Sequence, residues 1–285
     1  MESLRPMVGK CDVVISRGMC HRPSMARSST GESVLERVVR ILEVFRPDVP
    51  AATITEIADR ANLPLSTASR LVDEMTQHGL LRRDTRHQIR IGMRLWELAA
   101  RASPTGSLRD AAMPFMEDLH AVVGHHVQLG VREGEEVLFL ERLSAPAAVI
   151  NFTRIAGRLP LYASSSGLVL LAHAPAAVQN HVLASPLTIY TDRSITEPLQ
   201  LRRFLAQVRR TNVACCRGFI HPDATGIAVP VRNSSKRVIA ALSVIVPADG
   251  HESSRIPALH AAARGIQRAM ATPVGFPNSA AASIE

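Results

Sequence analysis

Three stretches of this sequence have residue types and spacings that could do chemistry. Ser164-Ser165-Ser166-Gly167 stands directly ahead of an apolar run, Leu168-Val169-Leu170-Leu171. Hydroxyl residues opening an apolar helix leave its first backbone N–H groups, and the positive end of its dipole, facing whatever lies beyond. That is a ready site for an anion. The same run also reads as a simple N-cap, which needs only one serine. Earlier in the chain, Ser66, Thr67, Ser69 and Arg70 are closely followed by Arg82, Arg83, Arg86, His87 and Arg90. Hydroxyls and a guanidinium at a helix start suit base edges and phosphates, and an arginine can grip a guanine edge with two parallel hydrogen bonds. The third stretch offers nucleophile, redox or metal candidates: Cys215-Cys216-Arg217, and the group His120, His125 and His126. A reactive thiol needs a cationic neighbour, and Arg217 is adjacent. A buried, inert thiol is nevertheless the expectation. The histidine spacing fits no standard zinc pattern, and an adjacent pair near a strand start points to opposite faces. With no glycine-rich phosphate loop and no Ser–His–Asp motif, no catalytic, cofactor or metal residue is assigned. An enzyme working on a small acid through Cys216 or the three histidines stays as the rival reading.

These side chains need elements to position them. Val34, Val38, Ile41, Leu42 and Phe45 recur at helical spacing, ahead of Pro47 and Pro50. Thr53 three residues before Glu56 is a capping-box signature, so a second, short helix starts there and ends near Ala61-Asn62. A third helix has Pro64 in its first turn and buries Ala68, Leu71, Val72 and Met75 until Gly79. On that helix Ser66, Thr67, Ser69, Arg70, Asp73 and Gln77 face outward. Residues 80–83 and 88–91 then read as two strands around a polar turn. Two short helices, a tight turn and a basic hairpin in this order make a winged helix-turn-helix. Its third helix presents Ser66, Thr67, Ser69 and Arg70, and its wing presents Arg82, Arg83, Arg86 and Arg90. Asp73, Glu74 and Asp84 reduce the local positive charge.

Beyond a helix starting near Leu95, the run Ser103-Pro104-Thr105-Gly106 marks a boundary. The second half mixes elements. Helices are expected over 108–123, 167–174, 199–210 and 256–270, and strands over 127–131, 137–143, 149–152, 159–162, 227–231 and 238–246. The fold class is therefore α/β in the broad, α+β sense, in two domains. A length of 285 residues suits that count. Hydrophobic residues at 46% and charged residues at 20% exclude a wholly disordered chain, and no apolar run is long enough for a membrane span. The net charge of +8 fits a nucleic-acid partner without proving one. Four cysteines, two of them adjacent, cannot make a dense disulfide framework, which suits a reducing cytoplasm. The expected organisation is a disordered arm or mis-assigned start over 1–32, the winged helix-turn-helix over 33–92, a linker helix over 93–106, a second domain over 107–271 and a disordered tail over 272–285. Two copies would double the reading head and call for a roughly palindromic DNA site, so a homodimer is expected.

Residues 34–270 resemble the IclR family of bacterial transcriptional regulators. Leu63-Pro64-Leu65-Ser66-Thr67-Ala68-Ser69-Arg70-Leu71 is similar to that family's recognition-helix run, and 89–98 to its wing exit and linker helix. Gly157-Arg158-Leu159-Pro160-Leu161-Tyr162 with Ala163-Ser164-Ser165-Ser166-Gly167 resembles its central loop and helix start, and 227–231 and 240–244 its two late strands. The resemblance implies a GAF-like effector-binding domain, a homodimer through the DNA-binding domains, often a dimer of dimers, and a small carboxylate effector. It implies that Ser165 and Ser166 supply N–H donors, with Gly226 and Ser243 facing the same pocket. Ser164, Leu161, Ile227 and Ile245 complete the expected effector-binding set. The chain departs from the family pattern at Leu168, where many members have Lys, at Gly218 and Phe219, where an acidic pair is common, and at Gly226 and Ile245, where polar side chains occur. The pocket is thus expected to be less polar than one built for glyoxylate or pyruvate. An aromatic or longer-chain acid, or a neutral ligand, fits it better.

Overall fold

The computed structural model describes residues 32–46, 48–101, 106–146, 148–149, 151 and 153–271. The expectations for 1–31 and 272–285 fall outside them. The chain divides into two compact units between Glu97 and Leu98.

The first unit opens with α1 (Val34–Glu43) and α2 (Ile54–Arg60). Both start with a full capping box, Ser33 with Glu36 and Thr53 with Glu56, each pair satisfying two N–H groups that the helix itself leaves orphaned. Asn62 takes φ 50° in the turn that leads to α3 (Leu65–Gln77). Pro64 stands as the N-cap of α3, one place before the expected first turn. Gly79, at φ 72°, ends the segment in a backbone region that glycine enters without cost. The wing is β1 (Leu81–Arg83) paired antiparallel with β2 (Ile89–Ile91). Ile41, Ile57, Leu71, Met75, Leu81 and Ile89 close one core beneath the three helices and the wing. The helix α4 (Met93–Arg101) follows.

The second unit contains α5 (Gly106–Val123), β3 (His126–Glu133), β4 (Glu136–Leu143), β5 (Arg158–Pro160), α6 (Ser165–Ala172), α7 (Ala176–Ala184), α8 (Pro198–Thr211), β6 (Ala214–Arg217), β7 (Ala224–Arg232), β8 (Val238–Pro247) and α9 (Glu252–Ala271). The strands form one antiparallel sheet in the order β5-β4-β3-β8-β7-β6. Successive side chains of a strand leave on opposite faces, and the core splits accordingly. Val127, Leu129, Ile227, Val229, Leu242 and Val244 pack against α5 and α9. Phe139, Cys216, Ala228 and Ala241 pack against α6, α7 and α8.

Several expectations shift. Val149 and Asn151 form no strand, while 150 and 152 lie outside the described residues. The helix α7 and the strand β6 are additional, each too short to show a clear period. The last helix starts at Glu252, so Pro257 sits inside it rather than in its first turn. Among the described residues no helix is long and apolar enough to cross a membrane.

Candidate functional site

The first candidate surface is on α3 and the wing. Ser66 and Arg70 are exposed, and Thr67 and Ser69 partly so. Arg70 rests against Glu74 at 3.3 Å. Both side chains are solvated, so the pair is weak and easily exchanged for another partner. The wing arginines divide by environment. Arg83 reaches back to Asp73 at 2.5 Å and ties β1 to α3. Arg90 bonds Asp84 at 2.9 Å, and this hydrogen bond is the main reason the Asp84 carboxyl stays below its usual range. The other Asp84 oxygen accepts the N–H groups of Arg86 and Gln88 at 2.9 and 3.0 Å and so shapes the turn. Arg82 and Arg86 are exposed and make no carboxylate pair among the described residues. Asp73 and Asp84, two of the three acidic residues that reduce the local charge, therefore hold Arg83 and Arg90, and Arg82 and Arg86 remain open to an outside anion.

The second candidate site is a cavity between the sheet and the start of α6. Ser164, Ser165, Ser166, Gly226 and Ile245 all line it. Ser164 is the N-cap, and its Oγ accepts the Gly167 N–H at 3.1 Å. The Leu168 N–H goes to the Ser164 carbonyl. Among the described residues no acceptor meets the N–H groups of Ser165 and Ser166. Both alternatives at the serine run are thus realised in part: Ser164 caps, and two donors remain. Gly167 permits the close approach, because a Cβ there would lie 2.4 Å from the Leu161 carbonyl oxygen. At Gly226 a Cβ would meet Ser165 Oγ at 2.8 Å and stand in the cavity.

Three expected residues do not line the cavity. Ser243 is fully buried beneath it, accepting a hydrogen bond from Ser166 Oγ at 2.8 Å. Leu161 packs behind α6 in the core. Ile227 lies in the α5–α9 layer, because the two-residue period of β7 puts it on the opposite face from Gly226.

Sequence reasoning missed several lining residues: Gln128, Phe139, Asn151, Thr153 and Leu159. Gln128 gave a readable signal, a lone amide in the apolar strand β3 whose neighbours Val127 and Leu129 face the other way. Its amide donates to Thr153 Oγ1. Thr153 donates through N and Oγ1 to Asn151 Oδ1 at 3.0 and 2.8 Å. The buried Asn151 Nδ2 has no partner among the described residues. The cavity thus combines two free N–H groups at a helix start, a free amide donor and apolar walls.

The two thiols offer the rival chemistry no support. Cys216 lines the cavity, but burial pushes its thiol well above the ordinary range, so it stays protonated. Burial also raises the Cys215 thiol, outweighing Arg217, whose guanidinium reaches Glu252 at 3.7 Å and the Ala248 carbonyl at 2.8 Å. His126 has both ring nitrogens engaged, with Ser144 Oγ at 2.9 Å and the Val149 carbonyl at 2.6 Å. Among the described residues no cluster of three metal-binding side chains occurs.

Comparison with known proteins agrees on one family. The IclR helix-turn-helix domain matches residues 34–85, and the bacterial transcriptional regulator IclR C-terminal domain matches 103–271. The HTH-type transcriptional regulator XynR of Escherichia coli K12 is 30% identical over 212 residues, covering 74% of this chain and 84% of its own. A crystal structure of an IclR homolog from Microbacterium hydrocarbonoxydans, complexed with 4-hydroxybenzoate, is 49% identical. It matches with a TM-score of 0.80 over 84% of this chain and 99% of that one. The IclR of Thermotoga maritima, at 21% identity and a TM-score of 0.69, covers 84% of this chain and 98% of its own and shares the fold. With a winged helix-turn-helix followed by a cavity at a helix start in an α/β domain, and both domains matched in order, the chain belongs to the IclR family of DNA-binding bacterial transcriptional regulators.

Proposed function

We propose that this regulator binds double-stranded DNA as a homodimer, or a dimer of such dimers, and is controlled by an aromatic carboxylate. It acts in the cytoplasm, where the DNA is. The observation that carries the effector class is the pair of unpartnered N–H groups at Ser165 and Ser166, set in a cavity with walls from Phe139, Leu159, Phe219 and Ile245. A carboxylate meets the N–H groups and the positive end of α6. A ring lies on the apolar walls, and a polar substituent away from the carboxylate reaches Asn151 Nδ2. Among the described residues no lysine or arginine lines this cavity, while His221 does, so no permanent cation holds the carboxylate. That arrangement favours an acid whose affinity comes mostly from its apolar body. The 49% identical relative complexed with 4-hydroxybenzoate has a ligand of this class.

Isothermal titration of the full chain tests the reading. Binding of 4-hydroxybenzoate is expected, with at least tenfold weaker binding of its methyl ester and no measurable binding of pyruvate. Equal affinity for acid and ester would remove the carboxylate from the account.

The dimer has its own support. The helix α1 exposes Leu35 at 71% beside Val34 and Val39, and α4 exposes Trp96 at 66% beside Met93. Apolar stripes of this kind mark surfaces that meet another protein. Trp96→Glu is expected to halve the mass measured by light scattering at micromolar concentration. It should also weaken binding to a two-fold operator by about a hundredfold, since two linked heads bind far more tightly than one. A variant that stays dimeric would place the interface elsewhere.

A further inference from the structure

A second concave site lies at the other end of α6. It is lined by Arg132 from β3, Leu170 and His173 from the end of α6, Arg232 from β7, and Lys236 and Arg237 from the turn before β8. Four permanent cations therefore converge on one cleft of about 510 Å3. That volume is in the range of small-molecule sites. No carboxylate lines it, and none of the four makes an ion pair among the described residues. Their recorded side-chain partners are neutral: Arg132 donates to the Gly134 carbonyl at 2.9 Å, and Arg232 to the Lys236 carbonyl and Asn212 Oδ1 at 3.0 and 2.8 Å. These bonds fix the arginines while leaving their charge uncompensated. His173 Nε2 is buried in the same wall without a partner among the described residues. Burial, with Arg232 and Arg209 nearby, lowers the pKa of His173, so this ring adds a neutral polar group rather than a fifth cation.

The turn fixes where Lys236 stands. Lys236 sits at φ 60°, a conformation that costs a side-chain-bearing residue free energy and that glycine adopts freely. Lys236 is one of only two lysines in a chain of 33 basic residues. The hairpin carries that conformation: the Lys236 N–H donates to the Asn233 carbonyl at 2.9 Å, and the Asn233 N–H to the Arg237 carbonyl at 2.9 Å.

We propose that this cleft is a second ligand site, taking a small anion with two or more negative charges on phosphate-type groups. Like charges lining one cleft repel one another, and an anion lying between them relieves that repulsion. The cations arrive from three separate segments and so surround a tetrahedral group from several sides, unlike the single fork that suits one planar carboxylate. The concavity favours a compact ligand over the backbone of a duplex. The proposal does not rest on the aromatic-acid reading, because the two sites share no lining residue.

Thermal unfolding of the full chain in pyrophosphate, in inorganic phosphate and in chloride at matched ionic strength provides the test. Pyrophosphate is expected to raise Tm saturably. A parallel rise in phosphate would show that one dianion suffices, and no rise there would show that two phosphate groups are needed. The double variant Lys236→Gly, Arg237→Gln keeps the turn, since glycine accepts φ 60°. It is expected to weaken pyrophosphate binding at least tenfold and to leave 4-hydroxybenzoate binding unchanged. A pyrophosphate effect no larger than that of chloride, or equal affinity in the double variant, would overturn the proposal. Loss of random-duplex binding in the double variant without saturable pyrophosphate binding would also overturn it, in favour of a nucleic-acid surface.

Discussion

Ser165→Pro is expected to shift the response to the aromatic acid to roughly ten- to a hundredfold higher concentration while leaving fold and DNA binding near those of the parent. Ser165 is the first residue of α6, where proline is well tolerated because the missing N–H has no helical partner. Ser164 before it is already extended, at φ −123° and ψ 157°, as a residue preceding proline must be. What the substitution removes is one of the two free donors. A hydrogen bond to a charged group contributes about 1.5–3 kcal/mol, so affinity should fall by roughly ten- to a hundredfold. Ser165→Ala keeps the N–H and should bind the acid nearly as the parent does. Ser166 is the poorer choice, because its Oγ also donates to the fully buried Ser243 and its loss would disturb the core. Titration of both Ser165 variants, followed by DNA shift assays with and without the acid, checks this. Parent-like acid binding by Ser165→Pro would move the carboxylate to another wall of the cavity.

The sequence exposed the parts of this protein that depend on local chemistry. Thr53 with Glu56 and the serine run ahead of Leu168 state their roles within a few residues, because capping is a contact between near neighbours. The wing was legible for the same reason, since Asp84 shapes a turn it belongs to. What stayed hidden depends on which strands lie side by side. Ile227 follows Gly226 directly, yet the strand period sends it to the α5–α9 face. Asn151 enters the cavity from an irregular segment between β4 and β5, where no period exists to place it. The pairing of Gln128 with Thr153 spans 25 residues and follows only from the folded path of that segment. The sorting of the wing arginines needed Asp73, which sits on a different element from Arg83.

That sorting leads to the second large effect. Replacing Arg82 and Arg86 together by alanine is expected to weaken binding to every DNA sequence and to flatten its salt dependence. Each phosphate contact contributes about 0.9 to the slope of log affinity against log salt. Two lost contacts per head, in two heads, should lower the slope by roughly 3.6. Arg70→Ala should act differently, costing about 1–3 kcal/mol on the operator and relaxing preference at one base position, because its side chain leaves α3 among Ser66, Thr67 and Ser69. Arg83→Ala and Arg90→Ala remove cations already held by Asp73 and Asp84. They should change the slope little, and Arg83→Ala should instead loosen the wing against α3. Fluorescence anisotropy of labelled operator and of random duplex, over a salt series, separates these cases. If Arg83→Ala flattens the slope as much as Arg86→Ala does, Asp73 yields its arginine to the phosphates on binding, and the division drawn from the free protein does not survive in the complex.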